Sequence, residues 1–388
     1  MSLPKKIGVN LLYLVPGKVG GTEIYARELI RELAQVLSDT EFVAYCGREA
    51  AEPLSRAEWP ANVRIHKLPV NCSDKPLRIL AETTQLPWVA ARSGIKLIHS
   101  MGTTGVPFSV GVRVLTVHDL IYHHHSASVP KLAKIGLELV VPFSAKRSHR
   151  VLADSEATKL DLVDSYGLDA DSIDVVYLGL GYSAPAKITD EATLRERWQL
   201  SERPVVLCVA AALAHKNIPR LFEAFATIDK PGDGAAPVLV IAGHAGLEHD
   251  NWQRLSEELG IVDDVRFTGW VEDEDLEGLY RLAACFAYPT LYEGFGMPVL
   301  EAMQRGTPVV CSNTTSLPEV AGDAALTFDP LDVDAIGAAI NRVLADPSLA
   351  ADLVARGHER VKQFTWRATA EATIRSYERA WDRYRRDR

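Results

Sequence analysis

The segment 291–310 concentrates residue types that could bind an anionic ligand. Glu293, Gly294 and Gly296 stand just before a helix-like run that begins near Met297. Glycines carry no side chain, so backbone amides at such a turn can approach an anion closely. The first amides of a helix also favour negative charge. The spacing therefore predicts an anion site at the start of this helix.

Two carboxylates, Glu293 and Glu301, flank this turn. At about 1.5 Å of rise per residue, Glu301 lies about one helical turn beyond the start and could touch a ligand resting there. The acid and base of a glycosidase straddle a sugar ring, usually from different elements, which does not fit this pair. The pair favours two contacts along one elongated ligand. The alternative is that Glu293 caps the helix and Glu301 is solvated.

Lys216 follows an apolar run that reads as a strand, and His118 lies near the end of another such run. Lys216 comes after 204–213 and before a helix-like segment, a junction where a cation can meet an anion. The alternative is an ordinary surface lysine. His118 lies in the run 112–120, and ligands of parallel α/β sheets bind at the carboxyl ends of the strands. Its alternative is a buried histidine with satisfied hydrogen bonds.

Two further patterns carry weaker signals. Gly20 and Gly21 end a G-x-x-G-G turn, which could bring the backbone close to a phosphate or simply form a tight turn. Residues 123–125 are three histidines, but adjacent side chains diverge, and no carboxylate or cysteine set accompanies them at ligand spacing. We therefore expect no metal requirement.

Alternating strand-like and helix-like segments must position these residues. In the first half, the helical segment 22–37 has one apolar face. The strand-like runs are 7–14, 42–46, 63–68, 95–100, 112–120, 150–155 and 173–179. This alternation predicts one doubly wound α/β unit.

A second alternation follows a stretch near 180–203 that lacks periodicity and reads as a linker. Its strand-like runs are 204–213, 238–243, 265–269, 284–289 and 308–312. Runs that are apolar throughout suit sheets covered on both faces. We predict two facing Rossmann-like domains, 1–180 and 203–365. A helix at 366–388 follows, with its less polar side formed by Ala370, Ile374, Tyr377 and Trp381.

Composition limits the function classes. The 388 residues carry a formal net charge of −9, which argues against binding to nucleic acid. No run of 18 apolar residues occurs, and the start of the chain lacks the pattern of a signal peptide, so we expect a cytoplasmic protein without a span. Five scattered cysteines inside apolar runs are expected to be reduced core residues.

The motifs resemble one known family. EGFGMPVLEAMQRGTPVV (293–310) and SLPEVAGDAALTFDP (316–330) are similar to the donor-site region of retaining glycosyltransferases of family 4. KVGGTEIYARELIREL, TVHDLIY and HKNIPRLFEAF resemble that family's first loop and helix, its first-domain His segment and its donor-phosphate Lys segment. The resemblance implies the GT-B fold, an α/β fold of two facing Rossmann-like domains with a C-terminal helix that crosses back to the first.

The resemblance also implies roles for individual residues. Glu293 would contact the transferred sugar, Glu301 the ribose hydroxyls, and Lys216 the diphosphate in place of a metal. His118 would act at the edge of the first domain. The remaining donor-binding residues would be Gly20, Gly21, His215, Gly294, Phe295, Gly296 and Met297.

One departure from the family pattern concerns the second cation of the donor site. The family commonly carries an arginine just before the lysine, whereas this chain has alanines at 210–212 and 214, and His215. A protonated His215 could substitute. Alternatively, another basic residue reaches in, or the donor is held less tightly.

The implied activity is retaining transfer of a hexose from a nucleotide diphosphate sugar to a hydroxyl of a glycan or lipid-linked acceptor, without a metal or other cofactor. Residues 316–330 look most like bacterial mannosyltransferases of polysaccharide assembly, which favours GDP-mannose over a UDP-hexose. A weakly active or non-catalytic sugar-nucleotide binder and a nucleotide-sugar epimerase are the alternatives.

The segment 131–150 combines an apolar helical face with five basic residues: Lys131, Lys134, Lys146, Arg147 and Arg150. This combination is compatible with peripheral docking at the inner face of an anionic membrane. The alternative is a helix buried against the sheet with a basic end.

Overall fold

The computed structural model describes residues 3–17, 20–109, 111–125, 131–181, 187–228 and 235–386. The chain divides into two compact units. The first unit comprises Met1–His124, Pro130–Gly181 and Phe364–Arg388, and the second comprises His125–Val129 and Tyr182–Gln363. None of the helices in the described residues has both the length and the hydrophobicity of a membrane span.

The first unit is built on a parallel seven-stranded sheet. Its strands are β1 (Lys6–Leu11), β2 (Glu41–Cys46), β3 (Val63–Lys67), β4 (Leu97–Ser100), β5 (Val112–Val117), β6 (Arg150–Ala153) and β7 (Ile173–Val175). The strand order is β3-β2-β1-β4-β5-β6-β7, a doubly wound topology. β1 pairs with both β2 and β4, and its apolar side chains are fully buried, as its continuous apolar run predicts.

In the described part of this unit, seven α-helices accompany the sheet. They are α1 (Gly21–Val36), α2 (Arg48–Arg56), α3 (Lys75–Leu80), α4 (Leu86–Arg92), α5 (Ile121–His124), α6 (Lys131–Arg147) and α7 (Glu156–Tyr166). α1 buries Leu29, Ile30 and Leu33, which confirms the apolar face predicted for it.

The second unit repeats the design with six parallel strands. They are β8 (Val205–Val209), β9 (Val238–Ala242), β10 (Val265–Gly269), β11 (Cys285–Tyr288), β12 (Val309–Ser312) and β13 (Ala325–Phe328). The order is β10-β9-β8-β11-β12-β13. Sequence patterning missed β13, a partly buried edge strand of four residues that has no β-branched residue except Thr327.

Eight α-helices lie among the described residues of the second unit, and a last helix belongs to the first unit. They are α8 (Glu191–Arg197), α9 (Ile218–Ala226), α10 (His249–Glu258), α11 (Asp273–Leu282), α12 (Met297–Gln304), α13 (Leu317–Ala321), α14 (Val333–Ala345), α15 (Pro347–Val361) and α16 (Trp366–Arg386). At the start of α16, Trp366 packs so closely on Gly179 and Gly181 that a Cβ at either glycine would overlap it.

The inward face of α16 differs from the predicted one. Ala370 and Tyr377 are buried as expected, whereas Ile374 and Trp381 are only partly buried. Thr373 and Ser376 are buried instead, and their hydroxyls donate to the backbone carbonyls of Thr369 and Ala372 at 2.8 and 3.3 Å. Local hydrogen bonds of this kind satisfy small polar side chains inside a packed interface.

Several strands end earlier than their apolar runs. β1 stops at Leu11, where the Leu12 amide donates a hydrogen bond to the Asn10 side-chain oxygen at 3.0 Å and the chain turns. Leu12 and Leu14, beyond the end of the strand, remain buried. β5 stops at Val117, so His118 lies in the loop after the strand. The apolar residues beyond each strand therefore pack as loop residues at the carboxyl edge of the sheet.

All five cysteines are buried and form no disulfide, as predicted. Burial raises the pKa of Cys46 to about 11 and the pKa of Cys208 to about 12. These thiols therefore remain protonated and serve as small apolar core residues.

Candidate active site

Lys216 and Glu293 form an ion pair at the carboxyl edge of the second sheet. Lys216 ends a short 3-10 turn after β8, and Glu293 lies in the loop between β11 and α12. Lys216 Nζ donates to Glu293 Oε1 at 2.6 Å, and both side chains are largely buried. Parallel strands end at the same edge of a sheet, which is why residues 77 positions apart meet here.

Two hydroxyls join the same carboxylate oxygen. Tyr288 OH and Thr290 Oγ1 each lie 2.9 Å from Glu293 Oε1, and Lys216 Nζ also donates to Tyr288 OH at 2.9 Å. All three donors meet Oε1, so Oε2 receives none of these bonds. An ammonium has three hydrogens, of which these contacts use two.

The environment of Glu293 favours its ionised form. Burial acts to raise the pKa of this carboxyl, but the charge and hydrogen bond of Lys216 outweigh burial, and the pKa is lowered. Glu293 is therefore a carboxylate at neutral pH.

Backbone contacts hold the two loops together. The Leu291 amide donates to the His215 carbonyl at 2.8 Å, and the Glu293 amide donates to Thr315 Oγ1 at 3.1 Å. Asn217, at a left-handed φ of 58°, donates from its side-chain amide to the carbonyls of Pro289 and Pro330. These hydrogen bonds fix the positions of the two loops that carry the ion pair.

The turn before α12 requires glycine at position 296. Gly296 has a φ of 103°, and a Cβ there would lie 2.5 Å from Leu317 Cδ2. In the first turn of α12, Pro298 has no amide hydrogen and Val299 donates to the Gly296 carbonyl at 3.1 Å. The Met297 amide is the one that this turn offers to a ligand.

Glu301 lies one turn further along α12. Its Oε2 accepts a hydrogen bond from Tyr280 OH at 3.0 Å, and Arg305 Nη1 donates to its carbonyl oxygen at 2.9 Å. Burial raises the pKa of Glu301, and the opposing effects of Arg305 and Tyr280 do not cancel that rise. Arg305 itself pairs with Glu277 at 2.6 Å, and both of these side chains are buried.

His215 is a poor substitute for the missing cation. The side chain is buried, and burial together with the charge of Lys216 lowers the pKa of His215 to about 4. The imidazole is therefore neutral at physiological pH in this arrangement. The proposal that a protonated His215 replaces the arginine is not supported by this environment.

His118 is the predicted site residue of the first unit's sheet. It is buried, with Nδ1 2.7 Å from Asp154 Oδ2 and Nε2 3.0 Å from the Met101 carbonyl oxygen. Burial acts to lower the pKa of His118, but Asp154 and the Met101 carbonyl outweigh burial, and the pKa is raised. Both ring nitrogens already have protein partners, which matches the satisfied buried histidine that the sequence left open.

Gly20 and Gly21 lie at the start of α1. Gly20 precedes the helix with a φ of 55°, a conformation that favours glycine, and, apart from chain neighbours, no atom of the described residues lies within 4 Å of a Cβ built at either position. The local geometry leaves room for a ligand beside this turn.

The amino-acid sequence matches two family models, one on each half of the chain. The model described as "Glycosyltransferase Family 4" matches residues 19–181, and "Glycosyl transferases group 1" matches residues 190–360. O-antigen chain mannosyltransferase B of Escherichia coli is 31% identical over 361 residues, covering 91% of this chain and 94% of that protein. The chain belongs to glycosyltransferase family 4.

Other relatives of this glycosyltransferase match about half of the chain. A GDP-mannose-dependent alpha-(1-6)-phosphatidylinositol monomannoside mannosyltransferase of Mycobacterium tuberculosis is 35% identical over 185 residues, which is 45% of this chain and 47% of that protein. The serotype-specific mannosyltransferase WbdA of Escherichia coli is 32% identical over 188 residues, which is 48% of this chain and 23% of that protein.

Solved structures confirm the GT-B fold of this glycosyltransferase. Sucrose-phosphate synthase from Thermosynechococcus elongatus has a TM-score of 0.77 at 22% identity, covering 98% of this chain and all of that one. Anabaena Alr3699/HepE, solved with UDP and glucose, has a TM-score of 0.72 at 18% identity, covering 96% of this chain and 99% of that one. These identities support a shared fold and no more.

Sequence reasoning missed three hydroxyl-bearing residues of this glycosyltransferase's site: Tyr280, Tyr288 and Thr290. Tyr288 ends β11 and Thr290 lies two residues further, so the position just past a strand end was an available signal. Their partners lie on other elements, which a motif confined to 291–310 does not reveal. Among the residues that the structure describes, no three His, Cys, Asp or Glu side chains gather as a metal site requires.

Proposed function

We propose that this glycosyltransferase transfers a hexose, with retention of anomeric configuration, from a nucleotide diphosphate sugar to a hydroxyl of a glycan or lipid-linked acceptor. The donor that we favour is GDP-mannose. The observation that carries the proposal is the buried Lys216–Glu293 pair beside the glycine turn of α12. The pair supports the proposal because a cation suits a diphosphate and an adjacent carboxylate suits the hydroxyls of the sugar that the diphosphate carries.

Lys216 is proposed to stabilise the departing diphosphate. The third hydrogen of its ammonium is available to a phosphate oxygen while the other two hold Glu293 and Tyr288. A pre-positioned cation stabilises charge that develops on the leaving group without reorganisation during the reaction. The Met297 amide would add a second donor from the helix start.

Glu293 is proposed to contact the transferred sugar through Oε2. Its lowered pKa keeps it ionised, so it accepts hydrogen bonds from sugar hydroxyls and favours the positive charge that develops at the anomeric carbon. Glu301 would accept hydrogen bonds from the ribose hydroxyls. The acceptor hydroxyl would pass its proton to a donor phosphate oxygen as the bond to the anomeric carbon forms. This chemistry needs no metal.

A donor panel with analysis of the product anomer tests this proposal. We expect transfer of mannose from GDP-mannose, whose mannose is α-linked, to give an α-linked product. A β-linked product would contradict retention. Calorimetric titration with GDP and with UDP tests the base preference separately. Tighter binding of UDP than of GDP would indicate that the donor is a UDP-hexose and not GDP-mannose.

A variant of Glu293 distinguishes an active transferase from a weakly active or non-catalytic sugar-nucleotide binder. Glu293→Gln removes the negative charge next to the sugar but keeps the shape of the side chain. Normal donor binding with loss of transfer is expected, because the charge acts in the transition state. If the wild type binds donor but transfers nothing to any acceptor, the chain is a binder. Conversion of donor without any acceptor, seen by NMR, would indicate an epimerase.

A further inference from the structure

The outward face of α6 carries large apolar side chains in an unbroken row. We call this row the α6 stripe: Leu132, Ile135, Leu139 and Phe143, which are 85, 60, 68 and 43% exposed. Steps of three, four and four residues keep side chains on one face of a helix. Single exposed leucines are common, but a continuous apolar row on a surface helix indicates an interaction site.

The opposite face of α6 fixes the helix to the first unit. Val141 and Ala145 are buried, and Ser144 Oγ donates to the Gly105 carbonyl at 3.2 Å. The interpretation that the apolar positions of this segment all pack against the sheet is therefore wrong for the α6 stripe. The buried residues of α6 are Val141, Ser144 and Ala145, whereas the four residues of the stripe are exposed.

Basic residues border the α6 stripe. Lys131 and Lys146 are exposed at the two ends of the helix. The Arg147 guanidinium lies 4.9 Å from the ring centre of Phe108 and 5.0 Å from that of Phe143. Phe108 is 49% exposed and packs edge-on against Phe143, so it extends the apolar surface beyond the helix.

The acidic residue of α6 does not face outward with the stripe. Glu138 carries its carboxylate 2.9 Å from His123 Nδ1, and Tyr166 OH donates to it at 3.3 Å. With four basic residues and this one acid, α6 has a net charge of +3 in a chain whose net charge is −9. The apolar row therefore lies in a locally positive region of an acidic protein.

We infer that the α6 stripe docks on a lipid bilayer that contains anionic lipids. Apolar side chains bordered by lysine and arginine match an interface that is apolar below and negatively charged at its surface. A second copy of the chain fits less well, because two-fold pairing would bring two helices of net charge +3 together. Leucine, isoleucine and phenylalanine would enter the acyl region while the lysine amines reach the headgroups.

Vesicle co-sedimentation of the full chain tests this inference. The experiment requires neither the nucleotide sugar nor the acceptor of the transfer reaction. We expect binding to vesicles of phosphatidylcholine with 30% phosphatidylglycerol, and about tenfold weaker binding to phosphatidylcholine alone. The double variant Leu132→Glu/Leu139→Glu should lose at least tenfold in binding. The charge variant Lys131→Glu/Lys146→Glu should lose this tenfold preference and bind the two vesicle compositions about equally.

The matched control is Leu160→Glu on α7, a helix that carries Glu156, Asp161 and Asp164. Leu160 is 59% exposed, so the substitution changes surface polarity as the test variants do, and vesicle binding should stay at the wild-type level. Equal binding by wild type and the Leu132→Glu/Leu139→Glu variant would overturn the inference. Absent vesicle binding together with a wild-type dimer that the same variant converts to monomer would assign the α6 stripe to self-association instead. A soluble, folded wild type that binds no vesicle of either composition would also overturn it.

Discussion

Tyr377 OH lies 2.8 Å from His99 Nδ1 and connects α16 to β4 across 278 residues of sequence. The other nitrogen of that ring, Nε2, lies 2.8 Å from Thr116 Oγ1 on β5, and Tyr25 OH of α1 lies 2.8 Å from the same Thr116 oxygen. His99, Thr116 and Tyr377 are fully buried. The C-terminal helix is therefore held to the first unit by a polar network inside the core, in addition to apolar packing.

Replacement of Tyr377 by Phe should destabilise the first unit. The substitution keeps the ring but leaves His99 Nδ1 buried without its partner, which costs about 1–3 kcal/mol of unfolding free energy. Urea unfolding followed by circular dichroism measures the change. The control is Glu378→Gln, at an exposed position on the same helix, which should change stability by no more than about 0.5 kcal/mol. Equal losses in the two variants would show that the network does not hold α16.

His99 should also make stability fall on acidification. Burial and the nearby charge of His118 lower the pKa of His99 to about 3, whereas the side chain titrates near 6.5 when unfolded. Between these values the unfolded state binds the proton, so stability that is present above about pH 6.5 is lost as the pH falls, by up to about 1.4 kcal/mol per unit.

The difference between wild type and His99→Gln isolates this effect, because other titrating groups are common to both proteins. The stability advantage of the wild type should shrink by about 2 kcal/mol between pH 6.5 and pH 5.0. Urea unfolding at the two pH values measures it. A constant difference would mean that His99 does not control acid sensitivity.

Apolar patterning predicted every strand of both sheets except β13, because strands buried on both faces carry a signal that is local in sequence. It did not predict how the site is assembled. Lys216 and Tyr288 are 72 residues apart, and only the order of β8 and β11 in the sheet makes them neighbours. Patterning also placed Ile374 and Trp381 on the inward face of α16, where Thr373 and Ser376 are buried instead because their hydroxyls are satisfied within the helix.

Gly296→Ala should weaken donor binding as well as stability. A side chain at a φ of 103° is strained, and its Cβ would overlap Leu317, so we expect a loss of about 1–3 kcal/mol in unfolding free energy. Because Gly296 shapes the turn before α12, the donor KM should rise several-fold. Gly260→Ala is the control, since Gly260 also has a positive φ, of 68°, but has open space around it. The Gly260→Ala variant should lose stability and leave the donor KM unchanged. A similar rise of KM in both variants would show that the turn before α12 does not contribute to donor binding.

Lys216→Ala should lower kcat/KM by about 100-fold or more, because it removes the cation proposed to stabilise the leaving diphosphate.

The same substitution should also change the pH dependence of the reaction. Lys216 is what keeps the pKa of Glu293 low against the effect of burial, so without it the pKa of Glu293 rises. The acid limb of the residual activity should therefore move to higher pH. Tyr288→Phe removes a hydrogen bond to the same carboxylate and should move the limb in the same direction by less. Profiles of kcat against pH for the three proteins measure this order, and an acid limb at the same pH in all of them would mean that Glu293 is not the group whose ionisation the reaction requires.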